Sequence, residues 1–450
     1  MMFNSINFIF IFLPAFLLSY YFASDSFKNV IIFIFSVLFY IIGNINNVAN
    51  ILVLIVLTII NYYLYYIIHN ENDLRKKRIK IIISIGFNLY ILILFKSEIL
   101  TKTMPLGLSF YTFHFISLLV DSYKSDNTIE KLSFGNFVQY ILFFPKLLSG
   151  PITRHKYFDN TYNDKKYSLN NLIKGIYLFS IGLALKCLLS DNIGNIINQI
   201  NIYGYDSISI GTAWIGMFCF TMKLYFDFAG YSLMAIGIAK AIGIKLPDNF
   251  NLPFASKSIS EFWRRWHITL GHFFRDYVYI PLGGNCGNKN LIRQSINIII
   301  VWILTGLWHG FKLNYIIWAM LICLVIIFEK VFLNKIYNRV ELIGRIIVIL
   351  FMPFAFLIFS IDDLNLLKVY ITKLFDISTI SNGRELLIIW KLYWKIFLIG
   401  ILFMTSIPKK ILISLYKNKA CMIIFTIILI ILSCYMINIS SGDVFKYFTF

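Results

Sequence analysis

The chain has 450 residues, of which 59% are hydrophobic, 18% aromatic and only 14% charged, with a mean hydropathy of +0.75 and a formal net charge of +19. A soluble domain carries about 25% charged residues and cannot bury this much apolar surface, so a soluble globular protein is excluded. The 41 Lys and Arg fall in short gaps between apolar runs and form no single basic face, which excludes nucleic acid as a partner and leaves the lipid bilayer.

Apolar runs of about 17 to 25 residues suit helices crossing about 30 Å of hydrocarbon. They predict an all-α, polytopic integral membrane protein with about ten to twelve spanning helices, plus re-entrant or half-crossing helices around a central cavity. Residues 6–22, 30–42, 51–68 and 81–95 read as four spans with short polar joints. The first has no basic segment before it and no small-residue cleavage pattern after it, so it reads as a retained helix. The third joint holds Arg75, Lys76, Lys77, Arg78 and Lys80, which predicts a cytoplasmic loop and an external N-terminus.

Between 105 and 310 the apolar runs shorten and are broken by Pro105, Pro145, Gly150, Pro151, Gly230, Pro247, Pro253, Pro281, Gly283 and Gly284. Irregular backbone at membrane depth requires cover by protein or a water-filled cavity, hence the expectation of re-entrant helices here. Residues 261–276 read as one amphipathic helix, with Phe262, Trp266, Leu270, Phe273 and Tyr277 at helical spacing. Residues 297–308 read as a buried helix, and Gly306 and Gly310 beside it leave room for a substrate to approach the backbone. Spanning helices return after 310, with basic gaps at Lys330, Lys335, Arg339 and Arg345 and at Lys409, Lys410, Lys417 and Lys419, both expected on the cytoplasmic side. The whole chain, 1–450, is expected to be one membrane-embedded domain: N-terminal spans 1–104, a motif-bearing core 105–310 and C-terminal spans 311–450.

Only six histidines occur, and two follow tryptophan, in Trp266-His267 and Trp308-His309. A neutral imidazole accepts a proton near physiological pH, which makes this pair the leading candidate for chemistry, against packing as the alternative. His155 and His272 suit polar or interfacial positions and His69 a solvated loop. Asp227 is an intramembrane carboxylate, read either as a structural pair with Lys223 at i, i+4 or as part of a site. Arg154, Arg264 and Arg265 suit either snorkelling or contact with donor phosphates. No HExxH, Cys/His ligand set or GxSxG occurs, so neither a metal site nor a serine-hydrolase elbow is expected. Cys187, Cys219, Cys286, Cys323, Cys421 and Cys434 lack metal or disulfide spacing and read as small hydrophobes.

Seven motifs run in order from 105 to 310: Pro105-Leu-Gly-Leu-Ser-Phe-Tyr-Thr-Phe-His114, Phe143-Phe-Pro-Lys-Leu-Leu-Ser-Gly-Pro-Ile-Thr-Arg154, Tyr225-Phe-Asp-Phe-Ala-Gly-Tyr-Ser232, Asn249-Phe-Asn-Leu-Pro253, Glu261-Phe-Trp-Arg-Arg-Trp-His267, Arg275-Asp-Tyr-Val-Tyr-Ile-Pro-Leu-Gly-Gly284 and Gly306-Leu-Trp-His-Gly310. Together they resemble the membrane-bound O-acyltransferase family, in its bacterial alginate O-acetylation branch. Leu233 and His114 stand where family members often carry Asp and Gln, and no catalytic role is carried onto either.

The resemblance implies His309 as catalytic base and His267 as the second signature position. Trp308, Trp266, Arg264, Arg265, Asp227 and Arg154 are candidates for binding substrate or donor. It implies acetyl-CoA as acyl donor with no bound cofactor, a multi-pass location in a bacterial cytoplasmic membrane, and O-acetylation of a cell-envelope or extracellular polysaccharide. It also implies an extracytoplasmic SGNH-hydrolase-like acetyltransferase partner, with a polysaccharide synthase as a further associate. The competing readings are D-alanyl transfer to teichoic acid, a non-enzymatic transporter of polysaccharide or lipid-linked sugar, and a membrane scaffold for an envelope synthase.

Overall fold

Many large apolar side chains are exposed on the long helices, and the interior is itself mainly apolar with polar residues set into it. The computed structural model describes residues 2–97, 104–124, 131–163, 165–284, 290–333 and 340–439, so Cys286, Lys335 and Arg339 lie outside the described residues. Every regular element among the described residues is helical. In chain order these are α1 (Phe8–Phe22), α2 (Asp25–Gly43), α3 (Val48–His69), α4 (Leu74–Lys96), α5 (Leu108–Lys124), α6 (Phe134–Leu142), α7 (Phe144–Leu147), α8 (His155–Asn163), α9 (Leu169–Tyr203) and α10 (Ile210–Ala241). Then follow α11 (Ile259–Arg265), α12 (Ile268–Phe274), α13 (Leu291–His309), α14 (Leu313–Leu333), α15 (Glu341–Ser360), α16 (Leu364–Lys373), α17 (Arg384–Met404), α18 (Ser406–Leu415) and α19 (Lys419–Ile439).

Nine helices among the described residues are long and apolar enough to cross a bilayer: α2, α3, α4, α9, α13, α14, α15, α17 and α19. On α3, Leu52, Ile55, Val56 and Ile59 are exposed while Asn50, Thr58 and Asn61 are buried. Asn61 Oδ1 accepts from Asn88 Nδ2 of α4 at 2.7 Å, one of the polar contacts that join helices where lipid offers no hydrophobic drive. The basic cluster 75–80 is not a loop. Asp73 accepts from the backbone N–H groups of Arg75 and Lys76 and so starts α4 at Leu74, placing the cluster on its first turns.

The chain forms two compact units. The first comprises residues up to 180 together with 231–248, and the second comprises 181–230 together with the residues from 249 to 439. Two of the boundaries fall inside α9 and α10, and the third lies between Asp248 and Asn249. In the first unit, the rings of Phe8, Phe12, Phe16, Phe39 and Phe144 form an aromatic core, and Tyr20 donates to the carbonyl of Ile242 at 3.0 Å. Short helices α6, α7 and α8 occupy residues 134–163, as Pro145 and Pro151 lead one to expect. Lys146 is fully buried there, its Nζ donating to Thr153 Oγ1 at 3.1 Å and lying 3.5 Å above the Tyr140 ring. Residues 169–203 and 210–241 depart from the expected broken pattern, since α9 has 35 residues and α10 has 32.

Candidate functional site

Within the second unit, the segment expected to form one helix is two. α11 ends at Arg265 and α12 begins at Ile268, with His267 between them in the left-handed region at φ +43°. A non-glycine residue held there costs about 1–2 kcal/mol and persists only when its surroundings fix it. Those surroundings are residues 249–251. The backbone N–H of Ile268 donates to the carbonyl of Asn249 at 3.0 Å, and that of Asn251 donates to the carbonyl of Arg265 at 2.9 Å. These bonds replace the i to i−4 pairs a continuous helix would make, so the helix breaks at Trp266-His267.

The far end of α11 is anchored as firmly. Ser258 Oγ accepts from the N–H of Glu261, and the buried Glu329 carboxylate accepts from the N–H groups of Ile259 at 2.7 Å and Ser260 at 2.9 Å. His267 itself is 3% exposed, with Nδ1 3.0 Å from Asn249 Oδ1 and its ring edge-on to Phe228 at 4.6 Å. Burial pushes its imidazole pKa down to about 3, which keeps the ring neutral.

α13 carries the second histidine at its C-terminus. Gln294, Asn297, Trp302, Thr305, Gly306, Trp308 and His309 are buried, whereas Ile292, Ile296, Ile303 and Leu304 are exposed. The helix expected to be buried is therefore covered on one face only, because an apolar residue suits lipid and core equally. His309 is 6% exposed and meets Trp318 at 5.2 Å and Phe359 at 4.9 Å, both edge to face. The Trp308 ring lies 6.2 Å from His267 and 4.5 Å from His309, so the two histidines share one indole as neighbour. Gly306 beside it serves helix packing. A Cβ on Gly306 would stand 2.9 Å from Ala319 Cβ and 3.0 Å from the Tyr315 carbonyl, so Gly306 permits the close contact of α13 with α14.

The other candidates divide. Trp266 is a core aromatic, stacked on Phe262 at 5.5 Å and 4.7 Å from Phe356. Arg265 is bound to Glu261 at 2.7 Å, while Arg264 is exposed. Arg154 is exposed and belongs to the first unit, just before α8. Asp227 meets Lys186 Nζ at 2.8 Å, and the same Nζ meets Asp191 at 2.7 Å. Lys186 sits where α9 widens into a π-helical turn, Leu185–Ser190, which redirects its side chain toward α10. His69 is buried against Tyr65 rather than solvated, whereas His272 is exposed.

Asn249, Glu329 and Lys186 escaped the reading of the sequence. Asn249 lay within a recognised motif, and a lysine inside an apolar run signals Lys186, but nothing in the sequence marks Glu329. No group of three or more His, Cys, Asp or Glu that would hold a metal ion occurs among the described residues.

A profile of the membrane-bound O-acyltransferase family matches residues 32–367. The chain is 32% identical over 339 residues to a Pseudomonas aeruginosa protein named "Probable alginate O-acetylase AlgI", a match covering 71% of this chain and 64% of that protein. It is 32% identical over 371 residues to the peptidoglycan O-acetyltransferase of Helicobacter pylori, covering 71% and 69%. A teichoic acid D-alanyltransferase of Bacillus subtilis is 34% identical over 278 residues, covering 57% and 68%. The chain thus spans a little under two thirds of the length of the alginate relative.

Proposed function

We propose, starting from the fact that this chain belongs to the membrane-bound O-acyltransferase family, that it moves an acetyl group from cytosolic acetyl-CoA to a hydroxyl on the far side of a bacterial cytoplasmic membrane. The final acceptor is a cell-envelope polymer, reached through a separate extracytoplasmic partner of the SGNH-hydrolase type. The observation that carries this reading is the burial of two histidines on either side of Trp308, in a chain whose nearby helices cross a bilayer.

His309 is the general base. It takes the proton of the acceptor hydroxyl as the oxygen attacks the thioester carbonyl; the C–O bond forms, the C–S bond breaks, and the proton passes to the departing thiolate. The rings of Trp318 and Phe359 pack edge to face with this imidazole and fix its position for that proton transfer. Exposed Arg264 is the donor-phosphate contact best placed by its freedom, since Arg265 is engaged with Glu261.

The test is transfer of radiolabel from acetyl-CoA to a purified acceptor by the protein in detergent or vesicles, with His309→Gln as the paired variant. Label transferred by the wild type and lost in the variant supports the reading; label transferred equally by both overturns the role of His309. D-alanyl transfer, suggested by the teichoic acid relative, is the second reading. It predicts no use of acetyl-CoA but release of D-alanine from a carrier-protein thioester.

A further inference from the structure

Asn249, Thr269 and His267 are all buried, at 1%, 2% and 3% exposure, and they meet at one atom. The Asn249 side-chain oxygen lies 3.3 Å from the backbone N of Thr269, 2.9 Å from Thr269 Oγ1 and 3.0 Å from His267 Nδ1. The identity of that atom is forced. A backbone N–H can only donate, so the asparagine atom facing it is the carbonyl oxygen, and a carbonyl oxygen can only accept. His267 Nδ1 must therefore carry the proton. In a neutral imidazole the other nitrogen, Nε2, then bears the lone pair. Nε2 is buried and meets no hydrogen-bonding atom among the described residues.

We infer that Asn249 is a positioning residue, which locks His267 in the Nδ1–H form and directs a bare Nε2 acceptor toward the reacting substrate. This rests on the reading of the chain as an acyltransferase. It narrows what His267 does: held this way it accepts a hydrogen bond and cannot donate one to the thioester carbonyl. The ligand group it takes is an N–H or O–H donor, either an amide of the pantetheine arm or the acceptor hydroxyl. The left-handed backbone at His267 belongs to the same device, because Asn249 binds the main chain at 268 and the side chain at 267 together.

The experiment reads the imidazole directly. Protein labelled with 15N-histidine is examined by NMR at pH 7.5, and the His267 signals are assigned by their loss in His267→Gln. The expected result is a protonated Nδ1 and an unprotonated Nε2, with Asn249→Ala giving a mixture of both forms and Asn249→Asp, which keeps the accepting oxygen, restoring the first. An Nε2–H form in the wild type, or an Asn249→Ala spectrum identical to it, overturns the inference. Adding coenzyme A alone tests the pantetheine amide: a moved Nε2 signal supports it as the donor, and an unmoved one overturns it in favour of the acceptor hydroxyl. In acetyl transfer, Asn249→Ala is expected to lose about 10–100-fold in kcat with little change in KM for acetyl-CoA, and Asn249→Asp to recover most of it. Equal kcat in all three forms refutes the positioning role. A wild type that transfers no acetyl group refutes the proposed function, while the spectrum still decides the form of His267.

Discussion

Replacing Lys186 with Met removes a cation that touches two buried carboxylates, those of Asp191 and Asp227, at 2.7 and 2.8 Å. All three side chains are at most 10% exposed, so solvent does not screen the loss. At an effective dielectric of about 20 and charge centres about 4 Å apart, each attraction is about 4 kcal/mol. Protonation and entry of water recover part of this, and breaking buried pairs typically costs 3–5 kcal/mol, so the expected loss is about 4 kcal/mol. With an unfolding entropy of about 2.1 cal/mol/K per residue, a chain of this size loses about 4 °C in Tm. Tryptophan fluorescence during heating in detergent measures it. The triple variant Lys186→Met, Asp191→Asn, Asp227→Asn removes the anions as well and should regain most of the difference, since a buried pair replaced as a whole is often neutral. A Lys186→Met protein melting within a degree of wild type, or a triple variant no more stable than the single one, refutes the reasoning.

Other outcomes follow from the same geometry. His309→Gln should lower acetyl transfer by about 100-fold or more while leaving membrane insertion unchanged, as scored by activity and by fractionation. Glu329→Gln weakens two charge-assisted bonds to the start of α11 and should destabilise by about 1–2 kcal/mol, seen as a lower denaturation midpoint. Gly306→Leu forces α13 away from α14 and should cost about 1–3 kcal/mol, with activity falling as Trp308 and His309 shift; a fully active, equally stable variant would show that the helices tolerate separation. His267 is neutral when folded, with a pKa of about 3, and titrates near 6.5 when unfolded. The unfolded chain binds more protons between those values, so stability present above pH 6.5 is lost on acidification toward pH 3, by up to about 1.4 kcal/mol per pH unit. His267→Gln should flatten that slope, read from melting temperatures across the pH range.

The spanning helices were legible because a bilayer demands length and apolarity, both of which are written in composition. The Trp-His pairs were legible because histidine is rare here and because the surrounding motifs kept their order. The break at His267 was hidden, since Phe262, Trp266, Leu270 and Phe273 keep helical spacing across it and the bonds that cause it come from residue 249. The contact of Asp227 with Lys186 was hidden for a related reason: the two are far apart in sequence, and only the packing of α9 against α10 brings them together. The one-sided burial of α13 was hidden because Ile and Leu serve a lipid face and a protein core alike. The packing role of Gly306 was hidden since a small residue that admits a substrate and one that admits a helix look identical in sequence.

The break between α11 and α12 is held from both directions, by Glu329 at the start of α11 and by Asn249 beside His267. A ring clamped in this way has little reorganisation left to undergo when a substrate arrives, so the cost of orienting it falls on folding instead of on turnover. It also means that a change anywhere along the Asn249–Thr269 contact reaches His267 as a rotation of its imidazole. Under the proposed function, variation in rate among close sequence variants should therefore track residues that never touch the substrate.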